Sequence, residues 1–332
     1  MSKLEEANNN NFSEASLLQN LSWPEEPVDV VLDTDTYNEV DDQFALAYLL
    51  RSPERCTVKA VLAAPFFNSN STSPEDGMEK SYDEIMRVLN VMDRPDMNSS
   101  VFRGSRTYLP NEKTPVPSEA ADRLVTLSQQ YSETHPLYVV AIACLTDLAS
   151  AILTDPSIVR GIVVVWLGGH ALHWPDTAEF NMAQDIAAAR VVFGSGVPLV
   201  QLPCMGVVSS FAISHAEFET CLRRKNRLCD YLVDLTEQSQ TANGAGDMWS
   251  RIIWDVTTAA WLMNPDFTRS YVIHRPVPEY DYQYGRNENG AFMRYVYALD
   301  RDGIWEDLVR KLSRSEERRV GKECRSRWSP YH

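Results

Sequence analysis

The stretch Val28–Leu50, VDVVLDTDTYNEVDDQFALAYLL, decides how the rest of the chain is read. Val28–Leu32 is short, β-branched and almost continuously apolar, the pattern of a strand covered on both faces. Gln43–Leu50 has the spacing of a helix. Between them five carboxylates, those of Asp33, Asp35, Glu39, Asp41 and Asp42, fall within ten residues. In an open α/β sheet the ligand crevice lies beyond the carboxyl ends of the strands, so chemistry is expected here. Anions in the first turn of a helix gain roughly 0.3–1 kcal/mol each from the macrodipole, a term that does not explain Asp33 and Asp35. Clustered carboxylates repel unless a cation neutralises them, and an all-oxygen cluster suits a hard ion, Ca2+ or Mg2+. The plainer alternative is a solvated acidic loop that caps the helix.

Outward from this stretch the same alternation recurs. Val58–Ala64, Leu137–Ala143, Gly161–Leu167 and Val197–Leu202 read as further strands, and Met78–Met92, Ser118–Tyr131, Asp147–Thr154 and Asp185–Phe193 as helices. Asn68–Gly77 and Leu109–Pro117, rich in Asn, Ser and Pro, read as loops. The expectation is a single α/β domain over residues 28–313, an open and mostly parallel sheet with helices on both faces. Residues 1–27, polar and closed by Pro24 and Pro27, are expected to be a flexible leader. Residues 314–332, RSEERRVGKECRSRWSPYH, are basic and aperiodic and resemble the in-frame translation of a sequencing-library adapter, so they are expected to be foreign to the native domain.

Composition narrows the function classes. The 332 residues are 44% hydrophobic and 23% charged, enough to bury a large core. A net charge of -15 repels phosphate backbones and anionic lipid, which argues against nucleic-acid and membrane partners. No apolar run is long enough to span a bilayer, and MSKLEEANNNNFSEAS lacks a signal-peptide core. The six cysteines follow no CxxC or zinc-type spacing and read as reduced thiols of a cytoplasmic protein.

Four motifs carry a family resemblance. DTDTYNEVDDQFAL is similar to the amino-terminal aspartate signature of the inosine-uridine nucleoside hydrolases, and LYVVAIACLTDLA, WLGGHALHWPDTAEFN and IIWDVTTAAWLMNPDF resemble later segments of that family in the right order. The resemblance spans roughly Val28–Leu312. It implies a nucleoside hydrolase-like fold, a small-molecule nucleoside substrate and a dimer or tetramer. It also implies that Asp35, Asp42, Asp255 and the Ile142 carbonyl hold Ca2+, that Asp41 and Asn181 meet the ribose hydroxyls, and that Glu179 faces the 5′-hydroxyl. The implied reaction is hydrolysis of the N-glycosidic bond of ribonucleosides to base and ribose. Bond breaking leaves positive charge on the sugar, which carboxylates stabilise, while a water acidified by the ion and deprotonated by Asp35 attacks from the face opposite the base. Asp41 and Asp42 are adjacent at a helix start, so their side chains are expected to diverge by about a hundred degrees, one toward the ion and one toward the sugar.

The chain departs from the commoner family form in three places. The aspartate loop is two residues longer, with Asn38-Glu39 extra. The loop after Gly168-Gly169 is shorter and carries His173-Trp174, taken as candidate substrate-binding residues, whereas His170 is read as structural. Where many members place a proton-donating His, this chain has Trp254, which is expected either to stack a purine base or to belong to the core. Glu179 and Asn181 have a helix-capping alternative, and Asp147 a plain N-cap reading. Two other functions fit the first motif. Asp33-Thr-Asp35 resembles the nucleophile motif of haloacid dehalogenase-type phosphatases, and a non-catalytic metal-dependent nucleoside or sugar binder could retain the same residues.

Overall fold

The computed structural model describes residues 13–287 and 290–314. Helix α1 (Glu14–Asn20) leads into β1 (Val28–Thr34), α2 (Asp42–Leu50), β2 (Cys56–Ala63), α3 (Pro74–Val91), β3 (Val101–Arg103), α4 (Glu119–Ser128), β4 (Leu137–Ala141), α5 (Thr146–Thr154) and β5 (Ile162–Leu167). The chain continues through α6 (Phe180–Gln184), α7 (Ile186–Gly194), β6 (Leu199–Leu202), β7 (Ala212–Ser214), α8 (His215–Cys221), α9 (Arg227–Ala242), β8 (Ser250–Ile252) and α10 (Val256–Met263). It closes with β9 (Thr268–His274), β10 (Val277–Pro278), β11 (Tyr284–Gly285), β12 (Phe292–Leu299) and α11 (Arg301–Leu312).

Eight strands form one sheet in the order β3-β2-β1-β4-β5-β6-β12-β9, all parallel except β9. Side chains alternate across the sheet. In β1, Val30 and Leu32 join the core under α2, α3 and α10, while Val31 joins the core under α4, α5 and α7. All are inaccessible to solvent, and burial of each such side chain contributes about 1.5–3 kcal/mol. Strand order reverses between β1 and β4, so the crevice of the fold opens where β1 ends at Thr34 and β4 at Ala141. This switch point coincides with the acidic loop.

The structure corrects the sequence reading in several places. Residues 13–27 are not a flexible leader: Ser13 caps α1 by accepting from Ser16 N at 3.1 Å, Leu17 and Leu21 are buried, and the Arg55 guanidinium lies 4.4 Å from the Trp23 ring centroid. The loop expected over Asn68–Gly77 ends at Ser73, whose hydroxyl accepts from Asp76 N at 3.1 Å while Pro74 opens α3. Asp147 is not the N-cap of α5; Leu145 is, and the Asp147 carboxylate instead accepts from Ser105 N, Ser105 Oγ and Ser118 Oγ at 2.7–2.8 Å. Strands β9 and β12 were not anticipated. Their sequences, TRSYVIH and FMRYVYAL, mix polar and apolar residues because they form an edge with partly exposed positions, unlike the continuous apolar runs of the central strands. The tail over 315–332 lies outside the described residues.

Candidate active site

Strand β1 delivers Asp33 and Asp35 at its carboxyl end, and the loop that follows turns directly into α2. Gln43 fixes this loop by donating Nε2–H to Thr36 O at 2.8 Å. The two extra residues are tied to neighbouring segments at the rim: Asn38 accepts from Asn68 Nδ2 at 2.6 Å and Asn70 Nδ2 at 2.9 Å, and Glu39 pairs with Arg251. Asp41 is the N-cap residue of α2 yet makes no capping bond through its side chain, so its carboxylate is left for the crevice. Asp42 Oδ1 accepts from Thr34 Oγ1. The peptide N–H of Ile142 donates to Asp33 O at 2.8 Å, which extends the β1–β4 pairing by one residue and brings the end of β4 beside the acidic loop.

These elements enclose a cavity of about 450 Å3. It is lined by Asp35, Asp41, Asp42, Ile142, Glu179, Asn181, Trp254 and Asp255, which the sequence singled out, and by Asn38, Glu39, Asn68, Leu167, His170, Ala178, Phe180, Cys204 and Met205. Two expected residues are elsewhere: His173 and Trp174 do not line the cavity. Both are exposed, Trp174 packing edge-on against His170 with ring centroids 6.1 Å apart. The residue of this loop that reaches the cavity is His170. Its sequence signal was its place directly after the Gly-Gly pair at a strand end, a position that faces the crevice by topology.

One oxygen from each of Asp41, Asp42 and Asp255 lies within 4.8 Å of the others. The adjacent pair therefore converges rather than diverging, and Asp35 stands outside this trio. Asp255 precedes α10, and its N–H meets Asp41 Oδ2 at 3.4 Å. Asp35, Asp41, Asp42 and Asp255 are at most 5% exposed. Burial, then repulsion from Asp41, pushes Asp42 up to about 8. Burial followed by repulsion from Asp42 raises Asp35, and burial followed by repulsion from Asp41 raises Asp255. Asp41 is raised by burial and held back by Arg251, whose Nη2 lies 3.9 Å from Oδ1. Asp35 Oδ2 and Asp41 Oδ1 are buried without a hydrogen-bond partner. One guanidinium, that of Arg251 beside Asp41, leaves four buried carboxylates short of counter-charge, and oxygen-only donors around a shared space fit a hard divalent cation.

Glu179 caps α6, accepting from Gly169 N, Asn181 N and Met182 N at 2.8–3.0 Å. Burial raises its pKa, and these three N–H groups oppose the rise. Asn181 Nδ2 donates to Leu167 O at 3.1 Å, which fixes the amide at the cavity wall. A second group with ligand-like spacing among the described residues, His215, Glu219 and Glu237, is partly exposed, and Arg223 pairs with both of its carboxylates.

The family model for inosine-uridine preferring nucleoside hydrolases matches residues 30–306. The pyrimidine-specific ribonucleoside hydrolase RihA of Salmonella paratyphi A is 25% identical over 320 residues, covering 85% of this chain and 97% of the relative. Among solved structures, the plant nucleoside hydrolase PpNRh1 superposes with a TM-score of 0.71 at 18% identity, covering 87% of this chain and 100% of that one. The purine-preferring ribonucleoside hydrolase from Gardnerella vaginalis does so with a TM-score of 0.69 at 18% identity, covering 86% and 98%.

Proposed function

The chain belongs to the inosine-uridine preferring nucleoside hydrolase family and is an N-ribosyl hydrolase, and from that premise we propose a Ca2+-dependent hydrolysis of ribonucleosides, purines preferred, to free base and ribose. The observation that carries the metal dependence is the set of buried carboxylates at the switch point, with neither Asp35 Oδ2 nor Asp41 Oδ1 hydrogen-bonded. Asp35, Asp42, Asp255 and the Ile142 carbonyl would hold the ion, with Asp41 close enough to share in it. Bound Ca2+ would neutralise the cluster and acidify a nearby water.

The chain's own groups supply the rest. Asp35, beside the trio and without a hydrogen bond at Oδ2, takes the proton of the attacking water as the C1′–N bond breaks, and the departing base takes a proton from solvent. Positive charge developing on the sugar is stabilised by the carboxylates, which act in a buried site where electrostatic terms are strong. Asp41 and Asn181 hold the ribose hydroxyls, and Glu179, whose burial-raised pKa is opposed by three backbone N–H groups, accepts from the 5′-hydroxyl. Trp254 is partly buried, packs on the core and also lines the cavity, so its indole can offer a face to the base. Purine preference draws support from that indole and from the purine-preferring structural neighbour, against a curated relative that is pyrimidine-specific. The chain is further proposed to act as a homo-oligomer in the cytoplasm, where the five described cysteines would remain the free thiols that they are here.

Release of reducing sugar from inosine, adenosine, guanosine, uridine and cytidine, with Ca2+ and with chelator, tests the reading. Chelator-sensitive turnover with purines ahead is the expected result. Phosphate release from phosphomonoesters, or binding without turnover, would instead favour the phosphatase or the silent binder.

A further inference from the structure

We infer that His170 is the residue that reads the 5′-oxygen of the sugar, an inference that rests on the hydrolase reading above. Its ring lines the cavity, and its Nδ1 is occupied as an acceptor by the N–H of Met205 at 3.3 Å. An imidazole that accepts at Nδ1 carries its proton at Nε2. Burial lowers the pKa of this group. The backbone on either side is clamped to the segment after β6, Gly169 O accepting from Cys204 N at 2.8 Å and Ala171 N donating to Met205 O at 2.9 Å. Trp174 closes against the ring edge-on. The Nε2–H is thus a donor on the wall of a cavity whose other ionisable lining groups are carboxylates and the Cys204 thiol.

Its place along the sheet edge says which part of the substrate it meets. Asn38 and Asn68 follow β1 and β2 at one end of the cavity, the acidic floor lies at the β1–β4 switch point, and Glu179 and His170 follow β5 at the other end. A nucleoside with its anomeric carbon over the acids and its 2′- and 3′-hydroxyls toward Asp41 and Asn181 turns its hydroxymethyl group toward Glu179 at the β5 end and its base away from it. Gly169, whose N–H holds Glu179 Oε2 at 2.8 Å, is the residue immediately before His170. A 5′-hydroxyl that donates to Glu179 keeps its lone pairs for an N–H donor, and His170 provides one. No Lys or Arg among the described residues lines the cavity, so a 5′-phosphate would meet the Glu179 carboxyl group and the His170 N–H with no cationic side chain to balance its charge.

The test compares inosine with 5′-deoxyinosine in the Ca2+-loaded full chain, for wild type, His170→Phe and His170→Gln. For His170→Phe, kcat/KM on inosine is expected to fall by about 10- to 100-fold, the scale of one unmade hydrogen bond. Its rate on 5′-deoxyinosine should stay within about twofold of wild type, since that substrate never made the bond, and His170→Gln should recover part of the loss through its amide N–H. Equal losses on both substrates would show a structural role and overturn the proposal. Wild-type indifference to the 5′-hydroxyl would overturn it too, without needing a variant to fold. A wild type that releases sugar from no nucleoside overturns the hydrolase reading itself, an outcome distinct from cleavage without 5′ discrimination.

Discussion

Stripped of cation, the folded protein should lose stability as pH rises from about 5 to 8, and Ca2+ should cancel the part of that loss that arises at the acidic cluster. Asp42 is 1% exposed, and burial with repulsion from Asp41 pushes its carboxyl to about 8 from an unfolded value near 3.8. Below about pH 4 both states hold the proton and no penalty exists. Between that point and pH 8 the unfolded chain releases the proton while the folded chain keeps it. Stability then falls by about 1.4 kcal/mol per pH unit for each such group. From pH 5 to 8 one group therefore contributes about 4 kcal/mol, or roughly 8 °C at about 2 °C per kcal/mol for a large domain. Asp35 and Asp255 are raised for the same reasons and steepen the dependence. Asp33 and Asp147, also raised by burial, would leave a slope that no ion at the trio removes. The informative quantity is accordingly the difference in Tm between Ca2+ and chelator, measured at pH 5, 6, 7 and 8. It should widen steadily with pH, and Asp42→Asn should narrow it. A difference that stays constant across this range would mean that the trio neither stores protons nor exchanges them for the ion.

Asp255→Ala should abolish turnover and Ca2+ binding together, because it removes both a charge and a ligand from the trio; full-strength binding by calorimetry would refute the site. Asp35→Asn should retain the ion but lose at least about 100-fold in kcat, the scale of a general base, and undiminished turnover would end that role. Trp254→Ala should lower kcat/KM on purines more than Trp254→Phe does, by about 1–3 kcal/mol in base binding, with circular dichroism confirming that both variants fold; a folded Trp254→Ala enzyme with unchanged purine turnover, or uridine as the better substrate, would remove the stacking role. Deleting residues 314–332 should leave melting temperature and activity nearly unchanged, since the segment has no apolar periodicity with which to dock; a fall of several degrees would show that it packs.

The parts of the fold that were legible in the sequence are those in which one physical requirement dominates. Strands β4 and β5 are covered by helices on both faces, so LYVVA and IVVVWL are uninterrupted in apolar character and are buried throughout. Strand β9 answers to several requirements at once. It lies at the sheet edge, its residues run from buried to exposed, and its pairing with β12 slips by one position between Val296 and Ala298. Neither a continuous run nor a clean alternation survives that mixture. Helix α1 escaped for a related reason: it is only seven residues long, and it docks through little more than Leu17, Asn20 and the following Leu21.

The site divides along the same line. Local spacing could place Asp41 and Asp42 side by side but could not say that Asp255, some two hundred residues later, closes the trio, because its position is set by α10 packing on α2. Motif order supplied that link where spacing could not. His173 and Trp174 drew attention as the large polar and aromatic side chains of a shortened loop, yet the direction of a loop side chain depends on backbone pairing with a distant strand end. Here Gly169 and Ala171 pair with the segment after β6, which turns His170 inward and leaves its two neighbours in the loop on the surface. Glu179 shows the opposite case, in which a structural and a functional reading describe one arrangement. The N–H groups of Asn181 and Met182 that need a cap at the start of α6 are also groups that oppose the rise in the carboxyl pKa caused by its burial. Replacing Glu179 would therefore loosen the helix and remove the sugar contact together, and only a substrate lacking the 5′-hydroxyl separates the two effects.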